Sequence, residues 1–375
     1  MINPFTIKVI SDPEFFCNRI KELDDLISFA RSQTNVVLYS PRRYGKTSLV
    51  RQVQKRLETE HGALISYVDF FAVSSIDDVA QRIARSIYQM LQFNENLFKR
   101  SIKILKTFKP IFQPSEDGSS FSLTVQPSSP GIVGIDLLEK TLEDLGNFLK
   151  VTNKPVQITF DEFQEITELR EPRIEGILRT HIQMHPASYF FVGSRRRILL
   201  DMFVDRKRPF YQSAINYELK CLPGDEFAAF IKAGFKNAGK KCPDNILQDI
   251  LKRSCKHPYY TQKLAFFVFE CSGPLVCERD MNEAFDTFIN SESFVFKSML
   301  QGLAPQQIAL LKALAREPSN SIMSNRYMNS HHLKSVGGVQ AAIKRLTQLD
   351  LIEKDREKTW QIVDPILSYW LLTNY

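Results

Sequence analysis

The stretch Val36-Val37-Leu38-Tyr39-Ser40-Pro41-Arg42-Arg43-Tyr44-Gly45-Lys46-Thr47-Ser48 decides how the rest of the chain is read. Its four leading apolar residues form a short buried strand, β-branched at the start and stopped by Ser40-Pro41. From Thr47 to Leu57 the apolar spacing is helical. A strand that passes through a basic, glycine-containing loop into a helix is a phosphate-binding loop, here with Ser40 where the pattern has its first glycine. The residue types suit that chemistry. Successive backbone N–H groups from Ser40, Arg42, Arg43, Tyr44 and Gly45 to Ser48, with the helix N-terminus, surround phosphate oxygens. Pro41 shapes the turn and Gly45 lets the chain approach closely. Lys46 neutralises β/γ oxygens, and the Thr47 hydroxyl ligates Mg²⁺.

A Gly-Lys-Thr triplet is weak evidence alone, so its partners matter. Val156-Gln157-Ile158-Thr159-Phe160-Asp161-Glu162 is an apolar strand ending in adjacent carboxylates. Asp161 at the tip can hold Mg²⁺ through water, and Glu162 is placed to polarise an attacking water as general base. Phe190-Phe191-Val192-Gly193-Ser194-Arg195 is a third strand running into polar residues. In strand-inserted ATPases the polar residue at that strand's end senses the γ-phosphate, which makes Ser194 the first candidate and Arg195 the second.

Outward from these elements, helical spacing covers residues 14–30, with Phe15, Ile20, Leu23, Leu26, Ile27 and Ala30 apolar. Residues 63–71 alternate as a strand, and Ser75 or Asp77 is suited to cap the helix that follows. Residues 77–109 read as a long amphipathic helical stretch interrupted near Asn94-Glu95-Asn96. Residues 109–131 read as a projecting hairpin, with strand-like pieces at 110–113 and 121–125 around the turn Ser115-Glu116-Asp117-Gly118. Residues 135–151 are helical. Strands alternating with helices predict a parallel sheet flanked by helices, a P-loop NTPase core over residues 1–222. Four helices follow, at about 225–238, 243–254, 258–272 and 279–298, making a helical region over 223–299. Residues 300–375 then read as a winged helix. Its helices fall at 305–316, 323–333 and 337–349, and its strands at 351–355 and 359–363. Val339, Ile343, Leu346 and Leu349 should face inward on its third helix.

Composition narrows the class. Of 375 residues, 43% are hydrophobic and 24% charged, enough to build packed cores and too apolar for a disordered chain. No apolar run approaches the length of a membrane helix, and Met1-Ile2-Asn3-Pro4-Phe5-Thr6-Ile7-Lys8 lacks the character of a signal peptide. The cysteines at 17, 221, 242, 255, 271 and 277 form no CxxC pair, which fits a cytoplasmic protein without a disulfide framework. His181 and His185 have the i,i+4 spacing of a zinc pair but lack its glutamate, and Pro186 follows, so no metal site is expected there. The phenylalanines read as core rather than as base-stacking platforms.

Together these residues resemble the archaeal-type ATPase family, a STAND-class, AAA+-related group of P-loop NTPases. The resemblance extends over nearly the whole chain. Phe16-Cys17-Asn18-Arg19-Ile20-Lys21-Glu22-Leu23 matches the family's opening phrase, and Ser40 to Leu49 matches its phosphate loop. Lys256-His257-Pro258-Tyr259-Tyr260 is similar to its lid motif. Val363-Asp364-Pro365-Ile366-Leu367-Ser368-Tyr369-Trp370 is similar to its closing segment. The resemblance implies that Arg19 borders the adenine of ATP or ADP and that His257 and Pro258 close over the nucleotide from the lid. Two departures stand out: Ser40 replaces a glycine, and Lys256 replaces the glycine that usually precedes His-Pro.

Two functions follow. One is a Mg²⁺-dependent ATPase whose nucleotide state controls the docking of lid and winged helix. The other is a winged-helix DNA-binding protein regulated by ATP with little or no turnover, motivated by Lys334, Lys344 and Arg345 beside the Gly337-Gly338 turn. The winged helix could equally meet a protein partner. A loop that binds without hydrolysis is a further reading, opposed by the intact Lys46, Thr47, Asp161 and Glu162. Arg195, Arg196 and Arg197 are candidates for an arginine finger, in cis or across a nucleotide-dependent oligomer. The net charge of +7 is concentrated in two places. Residues 301–349 carry six basic and one acidic side chain, and residues 195–208 carry six and two.

Overall fold

In the computed structural model, which describes residues 2–8, 16–91, 95–114, 121–355 and 357–374, Val36–Tyr39 is strand β1 and the phosphate loop leads from it into helix α2, Lys46–His61. The other strands of the same sheet are β2 (Leu64–Asp69), β5 (Val156–Asp161), β6 (Ser188–Gly193) and β7 (Ile215–Glu218). Their order is β2-β5-β6-β1-β7, and every neighbouring pair is parallel. β6 therefore lies between β1 and β5, which brings the ends of all three loop-bearing strands to one edge of the sheet.

Parallel strands bury both faces, so they read as continuous apolar runs. Every residue of β5 and β6 is buried. Helices α1 (Ile20–Arg31), α2, α3 (Ile76–Leu91), α5 (Gly134–Val151), α6 (Arg173–Met184) and α7 (Arg196–Val204) accompany the sheet, with the short α4 at Glu95–Ser101. The first helix, expected over residues 14–30, begins only at Ile20, because Asn18 and Arg19 take left-handed φ of +48° and +68°; its expected first residues, Glu14 and Phe15, lie outside the described residues. Ser75 accepts a hydrogen bond from the Asp78 backbone at 3.1 Å and so caps α3. Asp77 instead accepts from the Gly134 backbone at the start of α5.

The inserted hairpin consists of β3 (Phe108–Pro114) and β4 (Phe121–Pro127), antiparallel with Phe108 opposite Pro127. Its expected turn at 115–118 lies outside the described residues. The core beneath the sheet is rich in phenylalanine. Phe160, Phe163, Phe191, Phe203 and Phe210 are essentially fully buried, with Phe163 and Phe191 centroids 4.7 Å apart.

The described chain divides by contact into two units: residues 19–40 with 46–219, and residues 1–18 with 41–45 and 220–375. The second unit is built from α8 (Gly224–Asn237), α9 (Asp244–Arg253), α10 (Pro258–Cys271), α11 (Glu278–Gln301), α12 (Pro305–Arg316), α13 (Asn325–Ser330), α14 (Val336–Gln348), the hairpin β8 (Ile352–Lys354) and β9 (Trp360–Ile362), and α15 (Pro365–Asn374). α12–α14 with β8–β9 make the winged helix, and α8–α15 share one apolar core. On α14, Val339 and Leu346 are buried and Ile343 is half-buried, but Leu349 is 39% exposed. Leu349 occupies the helix C-cap, where the stripe has rotated off the core, and Ala342 fills the inward position instead. Among the described residues no helix is long and apolar enough to cross a membrane.

The aromatic cluster makes a stability prediction. Phe191→Ala empties a site packed by Phe163, Phe203 and Phe210 at the sheet's centre, and should cost about 3–5 kcal/mol. Urea unfolding of the two proteins measures it, and a loss below 1 kcal/mol would contradict the packing.

Candidate nucleotide site

The loop between β1 and α2 contains two residues of left-handed backbone. Gly45 has φ +87°, and a side chain added there would project into open space. Arg43, two residues before, also takes a left-handed φ of +64°. Ser40, by contrast, has no positive φ, so nothing in the backbone requires the glycine of the usual pattern. Ser40 is fully buried and contributes chemistry of its own. Lys46 Nζ donates to the Ser40 carbonyl at 3.1 Å and to Ser40 Oγ at 3.2 Å. The lysine is thus only 7% exposed and folded back over its own loop.

At the sheet edge, the Thr47 hydroxyl donates to Asp161 Oδ2 at 3.1 Å, while Asp161 Oδ1 accepts the Glu162 N–H at 2.9 Å. Asp161 is 7% exposed, and burial together with the Glu162 charge raises its pKa against the hydrogen bonds it receives. Tyr67 also donates to Asp161 Oδ2, an interaction that the sequence did not suggest. A hydroxyl and one carboxylate are hard oxygen donors of the kind Mg²⁺ takes beside phosphates. Among the described residues no cluster of three His, Cys, Asp or Glu could hold a metal by itself. His185 is engaged with the Tyr189 hydroxyl at 2.6 Å.

Glu162 departs from ordinary backbone geometry, with φ +50° and ψ +40°, before a 3₁₀ turn over Phe163–Leu169. Its Oε2 accepts from Ser194 Oγ at 3.1 Å and from the Gln164 amide. Gly193 makes room for that amide, since a side chain there would collide with Gln164 Oε1. Ser194, a candidate from the sequence that directly follows β6, therefore meets Glu162, and Gln164 with Gly193 joins them without a sequence signal. Arg195 is ion-paired to both Glu165 and Glu168 of the 3₁₀ turn, the latter at 2.7 Å. Arg208 is paired to Glu175, so part of the positive charge in residues 195–208 is already matched. Arg19 is 5% exposed with φ +68°; its Nη1 pairs with Glu22 at 2.8 Å, while its buried Nη2 has no hydrogen-bond partner.

In the other unit, residues 41–45 lie with the helices after β7. Tyr44 meets the His257 ring edge-on at 4.8 Å, and Arg43 covers the Tyr259 ring at 4.3 Å. Arg43 is also 3.6 Å from Glu292 of α11, a carboxylate only 2% exposed that Lys263 of α10 pairs as well. His257 caps α10, accepting from the Tyr260 N–H at 3.5 Å, with Pro258 in the first helical position. Lys256 takes φ +56°, which explains why a glycine is favoured before His-Pro and shows that lysine is accommodated there. Lys334, Lys344 and Arg345 are exposed on the winged helix.

A model of ATPase domains predominantly from Archaea matches residues 16–260, and one of a probable winged helix domain matches residues 294–373. No curated protein matches the sequence. Among solved structures, the chain is similar to the Walker-type ATPase PABY2304 of Pyrococcus abyssi, with 15% identity and a TM-score of 0.72 over 98% of this chain and 99% of that one. The ORC2 protein of Aeropyrum pernix in ADPNP-ADP complexes matches with 14% identity and a TM-score of 0.57, covering 98% of each chain. The ORC1 protein of the same organism in complex with DNA matches with 14% identity and a TM-score of 0.51, over 98% and 94%. At these identities the likeness establishes a shared fold.

The buried histidines predict an acid-sensitive fold. Burial and then Arg43 lower the pKa of His257 to about 3; burial and then His181 lower that of His185 to about 4. Both stay neutral in the folded chain, but unfolded histidine takes up a proton below about pH 6.5. The unfolded state then binds more protons, so stability is full above that pH and falls as pH drops towards 4, by up to about 1.4 kcal/mol per pH unit for each histidine. The urea midpoint should fall between pH 7 and pH 5, and by less in His185→Gln. Equal slopes in both proteins would contradict the assignment.

Proposed function

The chain belongs to the family of ATPase domains found predominantly in Archaea, and from that premise we propose that it is a Mg²⁺-dependent ATPase acting as a nucleotide switch. The observation that carries this is the convergence of Lys46, Thr47, Asp161, Glu162 and Ser194 at one edge of the sheet. Lys46 leaves Ser40 for phosphate oxygens, and the backbone N–H groups around Gly45 take the rest. Thr47 and Asp161 would hold Mg²⁺, which supplies charge neutralisation of the phosphates. Glu162 orients the attacking water as general base once Ser194 and Gln164 release it. Arg195 reaches phosphate only by leaving Glu165 and Glu168, so Ser194 is the better candidate for sensing the γ-phosphate.

The switch itself is read from Arg43 and Tyr44. They stand within the phosphate loop and touch His257, Tyr259 and Glu292, so a change in the loop's occupancy is felt by α10 and α11. From there Tyr260 donates to Asp364, which caps α15 beside the winged helix. A DNA-binding role for Lys334, Lys344 and Arg345 is favoured by their exposure and by the ORC1 complex with DNA, and a protein partner fits the same surface.

Lys46→Ala should lose nucleotide binding. Glu162→Gln should keep it while turnover falls by roughly 10²–10⁴, the range of general-base contributions. Calorimetric binding and phosphate release measure the two. Turnover at the wild-type rate in both variants would overturn the proposal.

A further inference from the structure

We propose that Tyr67 is a positioning residue that fixes the Asp161 carboxylate and so sets how tightly the divalent cation is held. The inference rests on the reading of Thr47 and Asp161 as the cation's protein partners. Tyr67 belongs to β2, opposite Thr159 of β5, and Asp69 is opposite Asp161. Its side chain runs along the strand to the tip of β5, where the hydroxyl donates to Asp161 Oδ2. The same oxygen receives the Thr47 hydroxyl, and the other receives the Glu162 N–H. Three donors from α2, β2 and the chain after β5 therefore determine the plane of one carboxylate.

The tyrosine is itself held. Arg51 places its guanidinium 3.5 Å from the centre of the Tyr67 ring, a close cation–π contact. Arg51 lies four residues after Thr47, one turn along the same face of α2. One helix thus provides the hydroxyl at the cation's place and the group that clamps the tyrosine behind it.

The consequence follows from hydroxyl chemistry. Thr47 has one proton and two lone pairs, and giving its proton to Asp161 leaves the lone pairs for other partners. Any freedom in the carboxylate becomes freedom in the Thr47 hydroxyl. Removing the Tyr67 hydroxyl leaves Asp161 Oδ2 with one donor fewer and loosens both. Groups that orient metal-site residues from behind typically govern metal affinity by 10–100-fold.

The test titrates Mn²⁺ into the ADP-loaded full chain, followed by electron paramagnetic resonance, beside ADP affinity in chelator and thermal unfolding. Tyr67→Phe should weaken Mn²⁺ binding about tenfold, with metal-free ADP affinity within about twofold of wild type. Saturating Mg²⁺ should restore its turnover, which a purely structural defect would not allow. Should Tyr67→Phe fail to fold, Arg51→Ala keeps the hydroxyl, frees the ring and should weaken Mn²⁺ in the same direction. Wild-type Mn²⁺ affinity in the folded Tyr67 variant, or in Arg51→Ala where that variant does not fold, overturns the inference if Asp161→Asn is impaired. Wild-type affinity in Asp161→Asn as well would overturn the cation-site reading beneath it.

Discussion

A buried lysine cation governs the architecture of the sheet edge. Lys46 is held by the carbonyl and hydroxyl of Ser40, the residue that opens the turn out of β1. A cation taken out of water costs several kcal/mol unless dipoles or charges surround it. The turn that supplies those dipoles forces a left-handed residue before the glycine and leaves Gly45 exposed at the start of α2. From that turn follows the placement of Thr47 against Asp161, and from Asp161 the placement of Glu162 against Ser194. Each polar group at the edge is set by the one before it.

The helical unit contains a matching set of constrained groups. Glu292 is buried, and its charge is tolerable because Lys263 and Arg43 both reach it. Removing one partner of a buried pair is commonly costly by about 3–5 kcal/mol, since the remaining charge is stranded. Asp364 is likewise buried, its pKa raised by desolvation, and it is satisfied by the Tyr260 hydroxyl and two backbone N–H groups at the start of α15. The aromatic series Tyr44, His257 and Tyr260 joins these groups in ring contacts of 4.8 and 4.6 Å.

Central strands and the phosphate loop were legible because their physics is local. Val36–Tyr39, Val156–Asp161 and Ser188–Gly193 are buried on both faces and read as apolar runs. β7 is hard to read because Ile215–Glu218 is a mostly exposed edge strand of four residues, too short for its alternation of Ile215 and Tyr217 with polar residues to stand out. α15 was seen only as a motif, since Pro365–Asn374 is apolar nearly all round and shows no helical period. The role of Tyr67 could not be read at all. Ninety-four residues separate it from Asp161, and only the β2–β5 register brings them together. The pairing of Arg195 with Glu165 and Glu168 was hidden in the same way, because a 3₁₀ turn rather than a helix follows the Asp-Glu pair.

Hydrogen exchange on the full chain, free and with a non-hydrolysable ATP analogue and Mg²⁺, tests the central claim that the phosphate loop and the lid helices respond as one element. The predicted result is slowed exchange at residues 41–48 accompanied by changes at the start of α10, residues 257–263, and around Glu292 in α11. Lys46→Ala should abolish all of them. Protection confined to residues 41–48, with α10 and α11 unaltered, would contradict it.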